Sequence, residues 1–142
     1  MTNNFFSKSI GNIHLKPSSK SEISSQILYG EKFKILSINK DWIKIKTSFD
    51  NYIGFIKKTD FLNNHNPKFK VFLPKTNIFK KINNKLIKTK TYLYFSSTIS
   101  DLENENGYIR FSKNKWIKKK DLKNIDYREK NYKKIIKLFL NT

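Results

Sequence analysis

A short pattern that occurs twice constrains the fold of this chain more than any other sequence feature. Residues 55–61 read FIKKTDF, and residues 116–122 read WIKKKDL. Both segments contain an aromatic residue, an aliphatic residue, two lysines, a variable position, an aspartate and an apolar residue in the same order. Each half also carries a second match, DWIKI at 41–45 and GYIRF at 107–111. The sequence therefore predicts an internal duplication of one small folding unit.

Alternating apolar and polar residues predict that this unit is built from β-strands. Residues 33–38, 42–46 and 52–56 each place apolar side chains on one face and Lys, Ser or Gly on the other. A period of two residues is typical of half-buried strands. Residues 39–41 and 48–51 have the composition of tight turns, so we expect these three strands to be antiparallel neighbours.

The composition agrees with a chain of small β-domains. Aromatic residues make up 15% of the 142 positions, and Gly is scarce, which favours pleated, half-buried surfaces over closely packed helices. The polar run at 63–67, NNHNP, ends in a proline, after which the strand pattern restarts. We expect a first domain at 1–64 and a second at 65–125, both all-β.

After residue 125 the apolar period changes to that of a helix. One face carries apolar residues at i, i+3, i+4, i+7 and i+8, namely Tyr132, Ile135, Ile136, Phe139 and Leu140. Asp126 and Glu129 have the spacing of a capping box. We expect an amphipathic helix within 126–142, whose apolar stripe packs either on the second domain or on a domain absent from this sequence.

The formal net charge of +19 is large enough to attract polyanions such as nucleic acid, an anionic membrane or an acidic polymer. The charge also has a simpler explanation, because Lys, Asn, Ile, Phe and Tyr all have A+T-rich codons and the lysines are scattered along the chain. The sequence alone leaves both explanations open.

Cysteine is absent, so the fold has no disulfide and this chain supplies no cysteine nucleophile. The two histidines, His14 and His65, lack further ligands in a metal-binding pattern, and we expect neither a metal nor another cofactor. The N-terminal residues do not read as a secretory signal, and no segment has the length of a membrane span. The expected location is cytoplasmic.

Several motifs of the first half resemble one known family. They are LKPSSKSEISSQILYGE at 15–31, DW at 41–42 and NYIGFI at 51–56. These residues resemble the first bacterial SH3 domain of NlpC-type cysteine peptidases, which cut γ-D-glutamyl-diamino acid bonds in murein peptides. Asn51 stands where that family has a glycine, and asparagine also tolerates a positive φ.

The second half is similar to the weaker second SH3 domain of the same family, through KWIK at 115–118. FLNT at 139–142 is similar to the beginning of the passage that follows the first helix of the peptidase domain and precedes its catalytic cysteine. The resemblance implies two tandem SH3-like β-barrels followed by one helix at 126–142, which opens a peptidase domain that is missing or encoded separately. Catalysis in such enzymes requires a cysteine thiolate activated by a histidine, so the resemblance implies a non-catalytic region.

In the family, the first SH3 domain borders the peptidase cleft and helps to recognise the free amino end of the murein peptide. This implies Glu31 as the carboxylate that binds the ammonium group, with Tyr52 sharing the contact through its hydroxyl. Trp42 is a candidate for lining a peptide groove, and Ser48 and Asp50 are candidates for further polar contacts. Each also has a structural explanation: strand opening for Glu31, core packing for Tyr52 and Trp42, and turn formation for Ser48 and Asp50.

The implied partners are a murein peptide and an NlpC-type peptidase domain. A second hypothesis is a basic SH3-like barrel that binds nucleic acid, through the lysines at 57–58 and 118–120 and the aromatic residues near them. Those lysines can equally protect exposed strands from edge-to-edge aggregation. A third hypothesis is a general interaction module that holds an anionic polymer or another protein on its basic face.

Overall fold

A computed structural model describes residues 4–62 and 64–140, and most of the elements in it are β-strands. The elements are β1 (Asn4–Phe6), β2 (Ile10–His14), β3 (Ile23–Leu28), β4 (Lys32–Asn39), β5 (Trp42–Thr47), β6 (Ile53–Lys57), β7 (Phe61–Leu62), β8 (Phe69–Val71), β9 (Lys75–Ile82), β10 (Lys85–Tyr94), β11 (Thr98–Ile99), β12 (Glu103–Glu105), β13 (Tyr108–Ser112), β14 (Lys115–Lys118), a 3-10 turn (Lys119–Asp121), β15 (Leu122–Asn124) and α1 (Tyr132–Leu140). The prediction of an all-β chain with one C-terminal helix is confirmed. The chain divides into two compact units between His65 and Asn66.

The first unit is one antiparallel sheet in the order β3-β2-β6-β5-β4-β1-β7. The three strands predicted from the alternating pattern are β4, β5 and β6, and they are neighbours as expected. Apolar side chains from six of the seven strands meet in one core, which contains Phe6, Ile13, Ile27, Phe33, Ile43, Ile45 and Ile56. Burial of these side chains is the main source of stability for a domain of this size.

The strand β4 departs from the predicted alternation near its end. Its register against β5 shifts between Ile35 and Ser37, where one extra residue is accommodated. Beyond this bulge Ile38 pairs with the core residue Ile43, but it lies near the end of the strand and is 58% exposed. The pattern therefore predicted the strand correctly but not the burial of its last apolar residue.

The second unit repeats the strand order of the first. One sheet has the order β10-β9-β14-β13-β12, and a second has the order β11-β8-β15. If β11 and β12 together take the place of β4, this is the same sequence of neighbours as in the first unit. The single long strand of the first unit is thus divided into two short strands in the second, which explains why the second unit has two sheets.

The strand registers agree with the repeat read from the sequence. Strand β2 pairs with β6 at His14 and Phe55, while β9 pairs with β14 at Phe79 and Trp116. Phe55 and Trp116 are the first residues of the two matching segments. The repeat therefore corresponds to equivalent positions in two copies of one fold.

The turn before β4 is also repeated, down to its hydrogen bonds. Gly30 has φ +79° and donates its N–H to the carbonyl of Phe6 at 2.8 Å. Ser96 has φ +79° as well, and donates its N–H to the carbonyl of Val71 at 2.9 Å. Glu31, which follows Gly30, is therefore the counterpart of Ser97.

The helix α1 begins at Tyr132, later than the sequence predicted, and the capping box at Asp126 and Glu129 is wrong. The cap is Asn131, whose Oδ1 accepts a hydrogen bond from the N–H of Lys133 at 3.0 Å. The carboxylate of Glu129 accepts the N–H of Asn131 at 3.0 Å, so it fixes the cap residue instead of closing a box with Asp126.

The predicted apolar stripe of α1 is largely exposed. Tyr132, Ile136 and Leu140 each show more than half of their surface, while Ile135 is half-buried. Phe139 makes an edge-on contact with Phe95 of the same unit, with ring centroids 5.3 Å apart. Within residues 4–62 and 64–140, no helix has the length and apolar character needed to cross a membrane.

Candidate functional site

Four of the five predicted site residues lie at one end of the first unit. Glu31 precedes β4, and Ser48, Asp50 and Tyr52 lie in the loop that follows β5. Because these strands are antiparallel, the start of one lies beside the end of the other. The N–H of Ser48 donates to the carbonyl of Lys32 at 3.0 Å. We call Glu31, Ser48, Asp50 and Tyr52 the acidic end.

Thr47 organises the loop of the acidic end. Its hydroxyl accepts the N–H of Tyr52 at 3.0 Å and donates to the carboxylate of Asp50. Its own N–H donates to the carbonyl of Tyr52 at 2.9 Å. Sequence reasoning missed this residue, although a signal was present: Thr47 is a polar residue in phase with the buried Ile43 and Ile45.

Glu31 is a half-buried carboxylate. Desolvation raises its pKa, a hydrogen bond to its Oε1 from the N–H of Leu28 at 3.4 Å works in the opposite direction, and the negative charge of Asp50 raises the pKa further. The contact of Ser48 with Lys32 brings the loop that carries Asp50 to the same end of the unit as Glu31. The site is therefore a place where negative charge is concentrated and partly removed from water.

No lysine or arginine neutralises these two carboxylates within ion-pair distance, as far as the described residues show. The salt bridges among the described residues join Lys81 to Glu105 and Arg110 to Glu103, and both lie in the second unit. Glu31 and Asp50 share this lack of an ion-pair partner with most acidic residues of the described chain, and what distinguishes them is that both lie at one end of the first unit. This arrangement favours binding of an external cation.

Tyr52 is half-buried and packs against the apolar core of the first unit. Its Cε2 atom lies 3.6 Å from the position that a Cβ at Gly54 would occupy. The ring is therefore held by packing, as the structural explanation of this residue required, and its backbone is fixed by Thr47.

Trp42 lies away from the acidic end. It begins β5, whereas Ser48 follows the last residue of that strand, so the two are separated by roughly 20 Å along an extended chain. Its ring makes an edge-on contact with His14, with centroids 5.2 Å apart and an interplanar angle of 80°. Trp116 is buried in the second unit and is not part of an exposed groove.

Neither histidine belongs to a cluster of potential metal ligands in the part of the chain that the structure describes. His65 packs beside the rings of Phe5 and Tyr29, with centroids 4.9 and 6.0 Å away. Burial lowers the pKa of His65 to about 4. This histidine is therefore neutral at pH 7 and acts as an aromatic packing residue.

Residues 66–140 of the second unit contain no copy of the acidic end. Ser97 occupies the position of Glu31, and it is buried with only 1% of its surface exposed. The candidate site is thus a property of the first unit alone.

Comparison with known proteins agrees with this division. Residues 13–61 match the protein family described as the bacterial dipeptidyl-peptidase Sh3 domain. In structure, the chain is similar to an NlpC/P60 family protein from Bacillus cereus ATCC 10987, with a TM-score of 0.68 and 14% sequence identity. The similarity covers 92% of this chain and 58% of the other, so this chain spans little more than half of that protein. No curated protein sequence matches the chain.

The resemblance stated from the sequence motifs is confirmed for the first unit, which is a bacterial SH3-type domain of the kind found in NlpC-type peptidases. The structural similarity extends the shared fold over nearly the whole chain. The 142 residues contain no cysteine, so they do not supply the thiolate on which an NlpC-type peptidase depends.

Proposed function

We propose that this chain is the non-catalytic SH3-type region of a murein-peptide hydrolase, and that its acidic end binds the free amino end of the peptide. The peptide is thereby positioned for an NlpC-type peptidase domain that these residues do not include. The observation that carries the proposal is that two carboxylates, the half-buried Glu31 before β4 and Asp50 in the loop after β5, lie at one end of the first unit.

An ammonium group matches this arrangement in charge and in hydrogen bonding. It has three N–H donors, and each carboxylate oxygen can accept one of them. Because burial and Asp50 disfavour the charged form of Glu31, a bound cation offsets the repulsion from Asp50 and favours the charged carboxylate.

The same feature disfavours nucleic acid at this end of the domain. A phosphate backbone would meet Glu31 and Asp50, and like charges repel strongly when they are partly shielded from water. The excess of lysine elsewhere on the chain does not alter the charge at this position.

A titration followed by amide NMR spectra tests the proposal. The probe is a murein tripeptide with a free amino end, added to the full 142-residue chain, and the comparison is the same tripeptide with an acetylated amino end. We expect the free-amine peptide to shift the amide signals of residues 31 and 47–52 in a saturable manner. Acetylation removes the positive charge, so the acetylated peptide should bind at least about tenfold more weakly.

Two charge-neutralising variants provide the control. Glu31→Gln should lose most of the preference for the free amine, because it removes the central carboxylate. Glu22→Gln removes the same charge from an exposed position of the same unit and should keep that preference. Equal binding of both peptides by the unmodified chain would contradict the proposal.

A further inference from the structure

The first unit also has a groove that does not include the acidic end. It has a volume of about 530 Å³, within the usual range of ligand-binding clefts. Its lining combines positive charge with apolar surface. Three lysines and three large apolar side chains supply them, namely Lys8, Lys57, Lys58, Ile10, Ile23 and Trp42.

The charge of this groove has one sign. Among the described residues that line it, three are lysines and none is Asp or Glu. Lys57 and Lys58 are exposed at the end of β6. The groove is therefore complementary to a ligand that carries several negative groups.

The apolar part of the groove is unusually accessible. Ile10 and Ile23 expose 40% and 50% of their surface on the neighbouring strands β2 and β3. Trp42 is held in place by its edge-on contact with His14, whose Nδ1 lies 3.1 Å from the carbonyl oxygen of Ser21. Exposed apolar side chains inside a concave surface mark a place where an apolar ligand group can be buried.

The central part of this arrangement recurs in the second unit. A concavity of about 540 Å³ is lined there by Tyr108, Lys118 and Lys119, which are the counterparts of Trp42, Lys57 and Lys58. Tyr108 also makes an edge-on contact, in this case with Phe79, at the same centroid distance of 5.2 Å. An aromatic residue beside two consecutive lysines is thus present in both copies, whereas the acidic end is present in one.

We propose that the groove of the first unit binds an extended acidic peptide segment of a partner protein. The carboxylates of the segment pair with Lys8, Lys57 and Lys58, and one of its apolar side chains packs on Ile23 and Trp42. A single-stranded nucleic acid would need several exposed aromatic faces for its successive bases. Of the aromatic residues that line this groove, Phe6 and His14 are buried and only Trp42 is partly exposed, so the groove suits a peptide better.

Binding of a designed peptide to the full 142-residue chain tests this proposal. The probe is an octapeptide of alternating Glu and Leu with an acetylated amino end, followed by the change in tryptophan fluorescence. Acetylation removes the free amine, so the outcome does not depend on the function proposed for Glu31. We expect saturable binding of this peptide and at least about tenfold weaker binding of the alternating Gln and Leu peptide.

Two double variants separate the groove from the general positive charge. Lys57→Gln with Lys58→Gln should weaken binding about tenfold, since each charge pair contributes a factor of roughly two to five. Lys34→Gln with Lys46→Gln removes the same charge from a cross-strand pair outside the groove and should change binding less than twofold.

Three results would overturn the proposal. The first is no binding of the Glu and Leu peptide by the unmodified chain at low ionic strength. The second is equal weakening by the two double variants, which would assign the binding to net charge. The third is tighter binding of a mixed-sequence single-stranded oligonucleotide that is lost in the Lys57 and Lys58 double variant, which would assign the groove to nucleic acid. Circular dichroism spectra identical to those of the unmodified chain establish that each variant is folded.

Discussion

The two units share a backbone framework but differ in the chemistry at one end. The turn before β4 in the first unit and the turn before β11 in the second are closed by the same hydrogen bonds. Glu31 lies in the first turn and Ser97 in the second. The N–H of Glu31 donates to the carbonyl of Leu28 at 3.0 Å, and the N–H of Ser97 donates to that of Tyr94 at 3.0 Å. The backbone at this position is thus required by the fold, whereas the side chain is not.

This difference separates structural residues from functional candidates without any alignment of relatives. A side chain that the fold requires should have a counterpart of similar character in the other unit, as Ile43 has in Ile109. Glu31 has none, because its counterpart is a small, buried serine. The framework that the two units share therefore does not require a carboxylate at this position, and the binding role of Glu31 stays a prediction.

The largest effect should come from the core. Phe33 and Ile99 occupy equivalent, fully buried positions in the two units. Phe33→Ala should lower the free energy of unfolding by about 3–5 kcal/mol, and Ile99→Ala by about 2–5 kcal/mol, since each leaves a cavity. Amide hydrogen exchange should show the loss of protection in residues 4–62 for the first variant and in residues 66–140 for the second. Equal loss along the whole chain in both variants would contradict the separation into two folding units.

A smaller but more selective effect is expected at Gly54. A Cβ there would lie 2.3 Å from Cγ2 of Ile13 and 3.1 Å from the carbonyl oxygen of His14, so β6 has room only for glycine. Its counterpart in the second unit is Lys115, which is exposed. Gly54→Ala should destabilise the protein by about 1–3 kcal/mol in urea denaturation, whereas Lys115→Ala should change stability by less than about 0.5 kcal/mol. If Gly54→Ala were as stable as Lys115→Ala, the prediction would be wrong, because β6 would then have as much room for a side chain at residue 54 as β14 has at residue 115.

Sequence patterns predicted the strands far better than the site. The alternation of apolar residues identified β4, β5 and β6 because a single solvent-exposed face imposes a period of two on each strand. It did not reveal that Ser48 lies beside Lys32, because that contact depends on the register between strands. The separation of Trp42 from Glu31 has the same origin, since Trp42 begins β5 whereas Glu31 precedes the part of β4 that pairs with the end of β5.

The start of α1 was mispredicted for a different reason, because local sequence rules allowed more than one first residue. The spacing of Asp126 and Glu129 satisfied a local rule for helix capping, and the apolar stripe satisfied a second rule. Both rules are met by several starting points, and the hydrogen bond from Lys133 to Asn131 selects the later one. A local pattern thus predicted the existence of the helix but not its first residue.

The repeated turn predicts a third effect, of opposite sign in the two units. Gly30 and Ser96 have the same φ of +79°, which costs an L-amino acid about 1–2 kcal/mol but costs glycine nothing comparable. Ser96→Gly should therefore raise the free energy of unfolding by about 1 kcal/mol, and Gly30→Ser should lower it by a similar amount. Thermal unfolding of the two variants measures this. Stabilisation by both substitutions, or by neither, would show that the two turns are not equivalent.

The smallest effect sharpens the comparison at the acidic end itself. Because desolvation and Asp50 raise the pKa of Glu31, its folded form binds a proton more tightly than the unfolded chain, where the pKa is near 4.5. The charged carboxylate therefore destabilises the fold at pH 7, and this cost disappears as the pH falls through the raised pKa. Glu31→Gln should gain less than about 1 kcal/mol at pH 7, because solvent screens a half-exposed group, and the gain should vanish towards pH 4.

The matched control for this last effect is Glu22→Gln, at an exposed position of the same unit. It should show no gain at either pH, because an exposed carboxylate in a strongly basic chain is not destabilised by its surroundings. Chemical denaturation at the two pH values, taken as the difference between each variant and the unmodified chain, cancels the contribution of His65. A loss of stability in Glu31→Gln at pH 7 would contradict the prediction, because it would mean that the carboxylate stabilises the turn before β4. A gain together with lost binding of the free-amine peptide would mean that this unit keeps a destabilising charge for its ligand.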